Sequence, residues 1–296
     1  MEPPPQNKLD YCKSQALDKG SDNREELELK AAVESIMGKI PKGYFIGLSK
    51  EHAWVICCIL RHLFGKEHMH SRKQFVLDLG SGKGYIDRIL SSVYQIGVFC
   101  VEAEKDRLKS STRLQRLLND DKTASCDTPF NCKRDLPLMK TCQRTLVTEN
   151  DFMLVWKKSL SYFRQLGSPA IEIVVLALKV CGDMLYNVVD WVLANWELIK
   201  VTAPTECRNL RVIIVPCCLH KSTRLRFPSA VTGSAHQLRL QQRELLGWVR
   251  KQLADTSRTP PTAFVEAINC PAPSSYFGIE MNLPFPTEME ERACLR

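Results

Sequence analysis

No apolar run in the 296-residue chain reaches the roughly 20 residues that a membrane-spanning helix needs, so no membrane partner is expected. The first residues, Met1-Glu2-Pro3-Pro4-Pro5, carry neither the pattern of a secretory signal nor that of an Arg-rich transit peptide. Without an export signal, the 13 cysteines are expected inside the cell, in the reducing cytoplasm or nucleus. That makes them free thiols, metal ligands or catalytic groups and excludes a disulfide framework. The paired C-x-x-C spacing of structural zinc is also missing. Cys126, Cys132 and Cys142 have five and nine residues between them, and Cys217, Cys218 and His220 merely cluster, so no metal is expected. No internal repeat is present, which excludes solenoids and propellers. Finally, there is no concentrated basic run. The chain has 41 Lys and Arg against 33 Asp and Glu, a net charge of +8. This leans toward a polyanionic partner such as RNA, but neither 220–226 nor the scatter over 105–116 is dense enough to mark a footprint.

What is present is a repeated exchange of short β-rich runs with helical stretches. Residues 1–24 are polar and Pro-rich and read as disordered. A helical extension follows over 25–70, with helices predicted at 24–37, where Asn23 and Glu26 are spaced as a capping box, and at 50–64. From residue 71 to 270 the pattern is that of one α/β domain. Strands are predicted at 75–79, 97–101, 171–178, 210–215 and 262–268, and helices at 85–93, 106–118, 151–166, 184–196 and 237–253. Residues 119–150 read as an insertion, with 144–147 as a short third strand, and 271–296 as an irregular Pro-rich tail. The strands are continuous apolar runs, which predicts a mostly parallel sheet with helices on both faces.

The densest local signal is the stretch Val76-Leu77-Asp78-Leu79-Gly80-Ser81-Gly82-Lys83-Gly84. An apolar strand ends in an acid, and glycines then fall on alternate positions before a helix. In an open parallel sheet, ligands lie beyond the carboxyl ends of the strands, and a loop without side chains lets backbone approach them closely. Glu102 lies 20 residues after Gly82, at the end of the second strand, where an acid accepts hydrogen bonds from ribose hydroxyls.

The order D-x-G-x-G-x-G differs from the G-x-G-x-x-G of dinucleotide sites and resembles motif I of class I S-adenosylmethionine-dependent methyltransferases. That resemblance implies a Rossmann-like class I methyltransferase fold and S-adenosylmethionine as cofactor. It also implies cofactor binding by Asp78, Gly80, Ser81, Gly82, Gly84 and Glu102. In that family the acid at the Asp78 position organises the loop and the methionine end, and the acid at the Glu102 position binds the ribose. Four further elements narrow the resemblance: Gly47-Leu48-Ser49-Lys50-Glu51-His52, Leu178-Lys179-Val180-Cys181-Gly182-Asp183, Val215-Pro216-Cys217-Cys218-Leu219-His220 and Phe227-Pro228-Ser229. In this order they are similar to the methyltransferase-like protein 25 family, which includes proteins named for an rRNA adenine methyltransferase domain. The first element is shorter than usual and lacks its proline. Lys179 stands where a histidine is usual, and the chain is expected to stop before the final strands of the family's sheet.

Methyl transfer needs an acceptor atom lined up with the methyl group and often a base beside it. The loops after the fourth and fifth strands hold the candidates. Asp183 is placed to orient an acceptor or take its proton, and equally to cap the following helix. Cys181 and Cys217, at strand ends, suit the paired thiols of RNA cytosine-5 methyltransferases, and equally suit packing. The Asn/Asp-Pro-Pro-Tyr/Phe element of adenine-N6 chemistry is absent after the fourth strand. Two functions follow as expectations. One is a methyltransferase acting on a macromolecule, RNA (including a ribosomal component) or protein. The other is a methyltransferase-like module kept for interaction, without catalysis.

Overall fold

The computed structural model describes residues 74–92, 96–107, 139–167, 172–218, 224, 235–255, 263–268 and 278–285. The helices predicted over 24–37 and 50–64, most of the one over 106–118, and Ser49, Lys50 and His52 lie outside these residues.

Seven strands form one sheet: β1 (Gln74–Leu79), β2 (Gly97–Glu102), β3 (Met139–Gln143), β4 (Glu172–Cys181), β5 (Asn209–Cys218), β6 (Phe264–Ile268) and β7 (Gly278–Pro284). Their order is β3-β2-β1-β4-β5-β7-β6. The first five run parallel, and β7 is antiparallel to both β5 and β6. The helices are α1 (Tyr85–Ser92), α2 (Glu149–Gln165), α3 (Met184–Ala194), α4 (Trp196–Thr202) and α5 (Ala235–Asp255). This is the expected α/β fold, a Rossmann-like class I methyltransferase sheet. The strand order reverses between β1 and β4, so the ligand crevice belongs at the carboxyl ends of those two strands.

The parallel strands are apolar along their whole length because both faces are covered. Val76, Leu77, Ile173 to Ala177 and Val212 to Ile214 are fully buried or nearly so. On one face α2 contributes Phe152, Trp156 and Phe163, with Phe163 stacked on Phe75 at 4.4 Å between ring centroids. The buried Trp156 donates its indole N–H to Thr202 Oγ1 at 3.0 Å, which ties α2 to α4. A capping box starts α2: Thr148 accepts from the Asp151 N–H, and the Asp151 side chain accepts from the Thr148 N–H. Asp151 is thus the third residue of the helix, which opens two residues earlier than the sequence suggests.

At the amino ends of the central strands, opposite the crevice, Arg211 on β5 lies between two acids. It donates to Glu280 on β7 at 2.6 Å and to Glu172 on β4 at 3.4 Å. Gln74 and Asn209 also donate to Glu172, at 2.7 and 3.3 Å.

Three expectations need correction. The third strand is Met139–Gln143, not 144–147. It is a half-polar edge strand, so the apolar-run signal that marked the others was missing. The helix predicted over 184–196 breaks at Asn195, and Trp196 starts α4. The sheet does not stop short, because β6 and β7 supply its final strands. β7 falls within the stretch read as an irregular tail. Its Ile279, Met281 and Leu283 alternate with half-exposed Glu280, Asn282 and Pro284, a period-two pattern hidden among prolines.

Candidate functional site

The chain leaves β1 through Gly80 and Gly82, both in the left-handed region, with φ of 85° and 60°. A Cβ built on either would meet no atom within 4 Å. These glycines are therefore not packed against protein: the backbone needs them for its conformation, and they border open space. The loop is pinned from behind. The N–H groups of Gly80 and Ser81 both donate to the Val101 carbonyl, at 2.9 and 3.1 Å, and Gly84 N–H donates to the Ser81 carbonyl at 3.0 Å.

Glu102 closes the arrangement from β2. Its Oε2 accepts from the Gly82 N–H at 2.8 Å, and its Oε1 accepts from the Glu104 N–H at 2.9 Å. The side chain is only 5% exposed. A carboxylate has about four acceptor positions, so about two remain for hydroxyl donors. Arg107 lies 4.0 Å from Glu102 and pairs with Glu104 at 2.8 Å, so its charge is spent locally.

Asp78 lies beneath the loop, 3% exposed, and its Oδ1 has no hydrogen-bond partner. Its carboxyl is held well above the ordinary range, first by burial, then by the charge and hydrogen bond of Asp87, and then by the charge of Glu102. Asp87 is completely buried in the first turn of α1. Sequence reading missed it. The available signal was its position on one helical face with the buried Leu90 and Ser91, where an acid has no ordinary place.

The candidates for chemistry sit next door, at the carboxyl end of β4. Gly182 turns the chain at φ 59° into α3. Asp183 occupies the N-cap position of α3, but its side chain makes no cap hydrogen bond, so the capping role is not the one it plays. Cys181 is the last residue of β4 and is in register with Cys218 of β5. The pairing skips Lys179 on β4 and then Cys217 on β5, so two one-residue bulges cancel. Cys217 is thus the unpaired bulge residue, and Cys218 is the one aligned with Cys181. Bulges at strand ends re-aim side chains and are common beside functional sites. Pro216, which has no N–H to give a ladder, sits in the same irregular stretch, beyond the last residue of β5 that pairs with β7.

Arg224 belongs to the basic stretch after β5. It forms an ion pair with Asp190, donates to Asn187 Oδ1 at 2.8 Å, and lies 5.9 Å from the Tyr186 ring centroid. Its charge is thus engaged by α3. Among the described residues no group of three His, Cys, Asp or Glu is arranged to hold a metal ion, and no helix is long and apolar enough to cross a membrane.

The open space over Gly80 and Gly82, the buried acid below and the spare acceptors of Glu102 fit a ligand with a cationic end and a hydroxyl-bearing sugar. Comparison with curated proteins gives no match. Among solved structures, the chain is similar to the human methyltransferase 10 domain containing protein, at 10% identity and a TM-score of 0.42, over 87% of this chain and 97% of that one. It is also similar to the N-terminal domain of human METTL16 in complex with SAH, at 11% identity and a TM-score of 0.36, over 79% and 68% of the two chains. Similarities this low say nothing about an acceptor. A family model described as a methyltransferase domain matches residues 55–224. That span is more than half the sequence and runs from before the glycine loop to Arg224, and on it the chain belongs to the methyltransferase domain family.

Proposed function

We propose that the protein is an S-adenosylmethionine-dependent methyltransferase of the methyltransferase-like protein 25 group, acting inside the cell on a macromolecule, RNA or protein. The observation that carries this reading is the clasp between the Gly82 N–H and Glu102. It holds a bare backbone loop open at the switch point of the sheet and keeps acceptors free beside it. S-adenosylmethionine, when bound, supplies an electrophilic methyl group on a sulfonium. The chain supplies placement. Gly80, Ser81, Gly82 and Gly84 give the surface on which the cofactor rests. Glu102 accepts from ribose hydroxyls. Asp78 holds the loop from below and favours the cationic methionine end. Asp183, at the turn from β4 into α3, orients the acceptor or takes its proton. Cys181 and Cys217 border the same mouth and are the candidates for a thiol that contacts the acceptor. The net charge of +8 supports RNA, including a ribosomal component, as the acceptor over a neutral partner.

The reading of the chain as a non-catalytic interaction module leaned on missing final strands, on Lys179 and on the shortened first element, and β6 and β7 remove the first of these. Calorimetric titration of S-adenosylmethionine and S-adenosylhomocysteine into the purified chain tests the proposal. Micromolar binding lost in Gly82→Val and Glu102→Ala is expected. A folded wild-type chain that binds neither compound refutes the cofactor assignment.

A further inference from the structure

Gly247 runs against the rules of helix stability. It sits in the interior of α5, where glycine is destabilising relative to alanine. Its φ is not positive and an added Cβ would meet no atom within 4 Å, so neither backbone conformation nor packing requires it. On an exposed helix face, a residue without a side chain leaves the backbone open to close approach from outside.

The residues around it share one chemistry. α5 buries Leu245, Leu246 and Val249 and exposes Arg243, Gly247, Arg250, Lys251 and Ala254. At 3.6 residues per turn, Arg243 and Arg250 lie about 10 Å apart along one edge of this face. Gly247 lies midway between them, and Lys251 stands on the other edge. Glu244, exposed at the margin, is the acid of this face among the described residues. Glu266 is exposed on β6, but Val265 is the residue of that strand that joins the core beside α5, so Glu266 belongs to the opposite face of the sheet. Arg107, Arg144, Arg211 and Arg224 are all engaged by acids. Among the described residues, Arg243, Arg250 and Lys251 make no ion pair. In the sequence these three form no run, and the helix gathers them. α5 follows β5 in the chain and leads to β6, which runs parallel to β5 because both are antiparallel to β7. The helix therefore starts on the crevice side of the sheet. Trp248, next to Gly247, stands edge-on to Tyr186 at 4.8 Å between ring centroids. Tyr186 is in the first turn of α3, just past the end of β4 where the acceptor candidates sit.

We propose that the outer face of α5 docks the phosphate backbone of the acceptor RNA, with Arg243, Arg250 and Lys251 each holding a phosphate and Gly247 letting the strand lie against the helix between them. This rests on the reading of the acceptor as RNA. A guanidinium offers paired N–H donors that match phosphate oxygens, and phosphates recur at every nucleotide, so a strand meets these cations whatever its sequence. Such contacts position the strand and carry no sequence preference. The bare backbone at Gly247 favours a continuous charged strand over the projecting side chains of an acidic protein.

The test is fluorescence anisotropy on the full chain with a labelled, mixed-sequence single-stranded RNA of about 20 nucleotides, over a series of salt concentrations. One variant combines Arg243→Gln, Arg250→Gln and Lys251→Gln. A second combines Lys140→Gln on β3 with Lys157→Gln and Lys158→Gln on α2, all exposed, and so loses the same charge elsewhere. The α5 variant is expected to lose about 10- to 100-fold in affinity near 0.1 M salt, and its slope of log affinity against log salt should fall by about 2, for three phosphate contacts. The second variant should bind as the wild type does. Gly247→Leu should melt higher, because leucine is the better helix former, yet bind RNA more weakly. Equal losses in the two charge variants, or unchanged affinity in the α5 variant or in Gly247→Leu, overturn the docking face and leave RNA standing as the acceptor. A wild-type chain that binds S-adenosylmethionine but no RNA, even at low salt, overturns the docking face and the RNA reading together and leaves the cofactor assignment standing.

Discussion

Replacing Gly82 with alanine separates what the glycine loop does for the fold from what it does for a ligand. The added Cβ meets nothing within 4 Å, so no packing clash is involved. The N–H that reaches Glu102 is retained. What remains is the backbone cost of holding a side chain at φ 60°, about 1–2 kcal/mol. For a domain of this size that lowers Tm by about 2–8 °C. The methyl group, however, stands in the space the cofactor is proposed to fill, so affinity should fall at least about tenfold, or about 1.4 kcal/mol. Gly247 gives the matched control. It sits exposed in α5, an added Cβ there also meets nothing, and its φ is not positive. Gly247→Ala should stabilise by about 0.5–1 kcal/mol and leave binding alone. Thermal melts and calorimetric titrations of the two variants suffice. If Gly82→Ala melts as expected yet binds S-adenosylmethionine as the wild type does, the loop is not the cofactor platform.

Arg211→Ala strands Glu172 and Glu280, which are both largely buried, and should cost about 3–5 kcal/mol in denaturant unfolding; a loss near zero would show that the two acids are solvated. Asp78 titrates above its ordinary value of 3.8 in the folded chain, so its ionisation penalises folding as the pH climbs from there through the raised value. Asp78→Asn should therefore gain stability relative to wild type between about pH 5 and pH 8, measured by urea midpoints, while losing cofactor. Burial pushes the Cys207 thiol up to about 12, so it should resist alkylation at mildly basic pH in the native protein and react only on unfolding, as read by mass spectrometry of labelled peptides.

Much of the crescent around the crevice was legible from residue order. β1 and β2 were placed because their runs are continuously apolar, and the loop because three glycines in five positions have few other uses. Glu102 followed from its distance to Gly82. The physics that hid the rest differs from element to element. β3 is an edge strand whose exposed side needs no apolar residue. β7 buries only every second side chain and is bounded by prolines, so composition outweighed alternation. Asp87 looked like an ordinary first-turn acid, which helices favour, and only the fold shows it completely buried. The pairing of Cys181 with Cys218, and not with Cys217, depends on two bulges that no local pattern announces.

Those bulges also carry a genetic consequence. Strand side chains alternate faces, so one residue more or less in β4 turns everything beyond it to the other side of the sheet. Removing Lys179 alone would put Cys181 out of step with Cys218 on β5, and removing Cys217 alone would do the same to Cys218 against β4. Removing both restores the alignment, at the expense of a mouth one residue shorter on each strand. The two positions should therefore behave as a linked pair, each deletion harmful alone and milder together. Length changes at this rim of the protein would be inherited in twos.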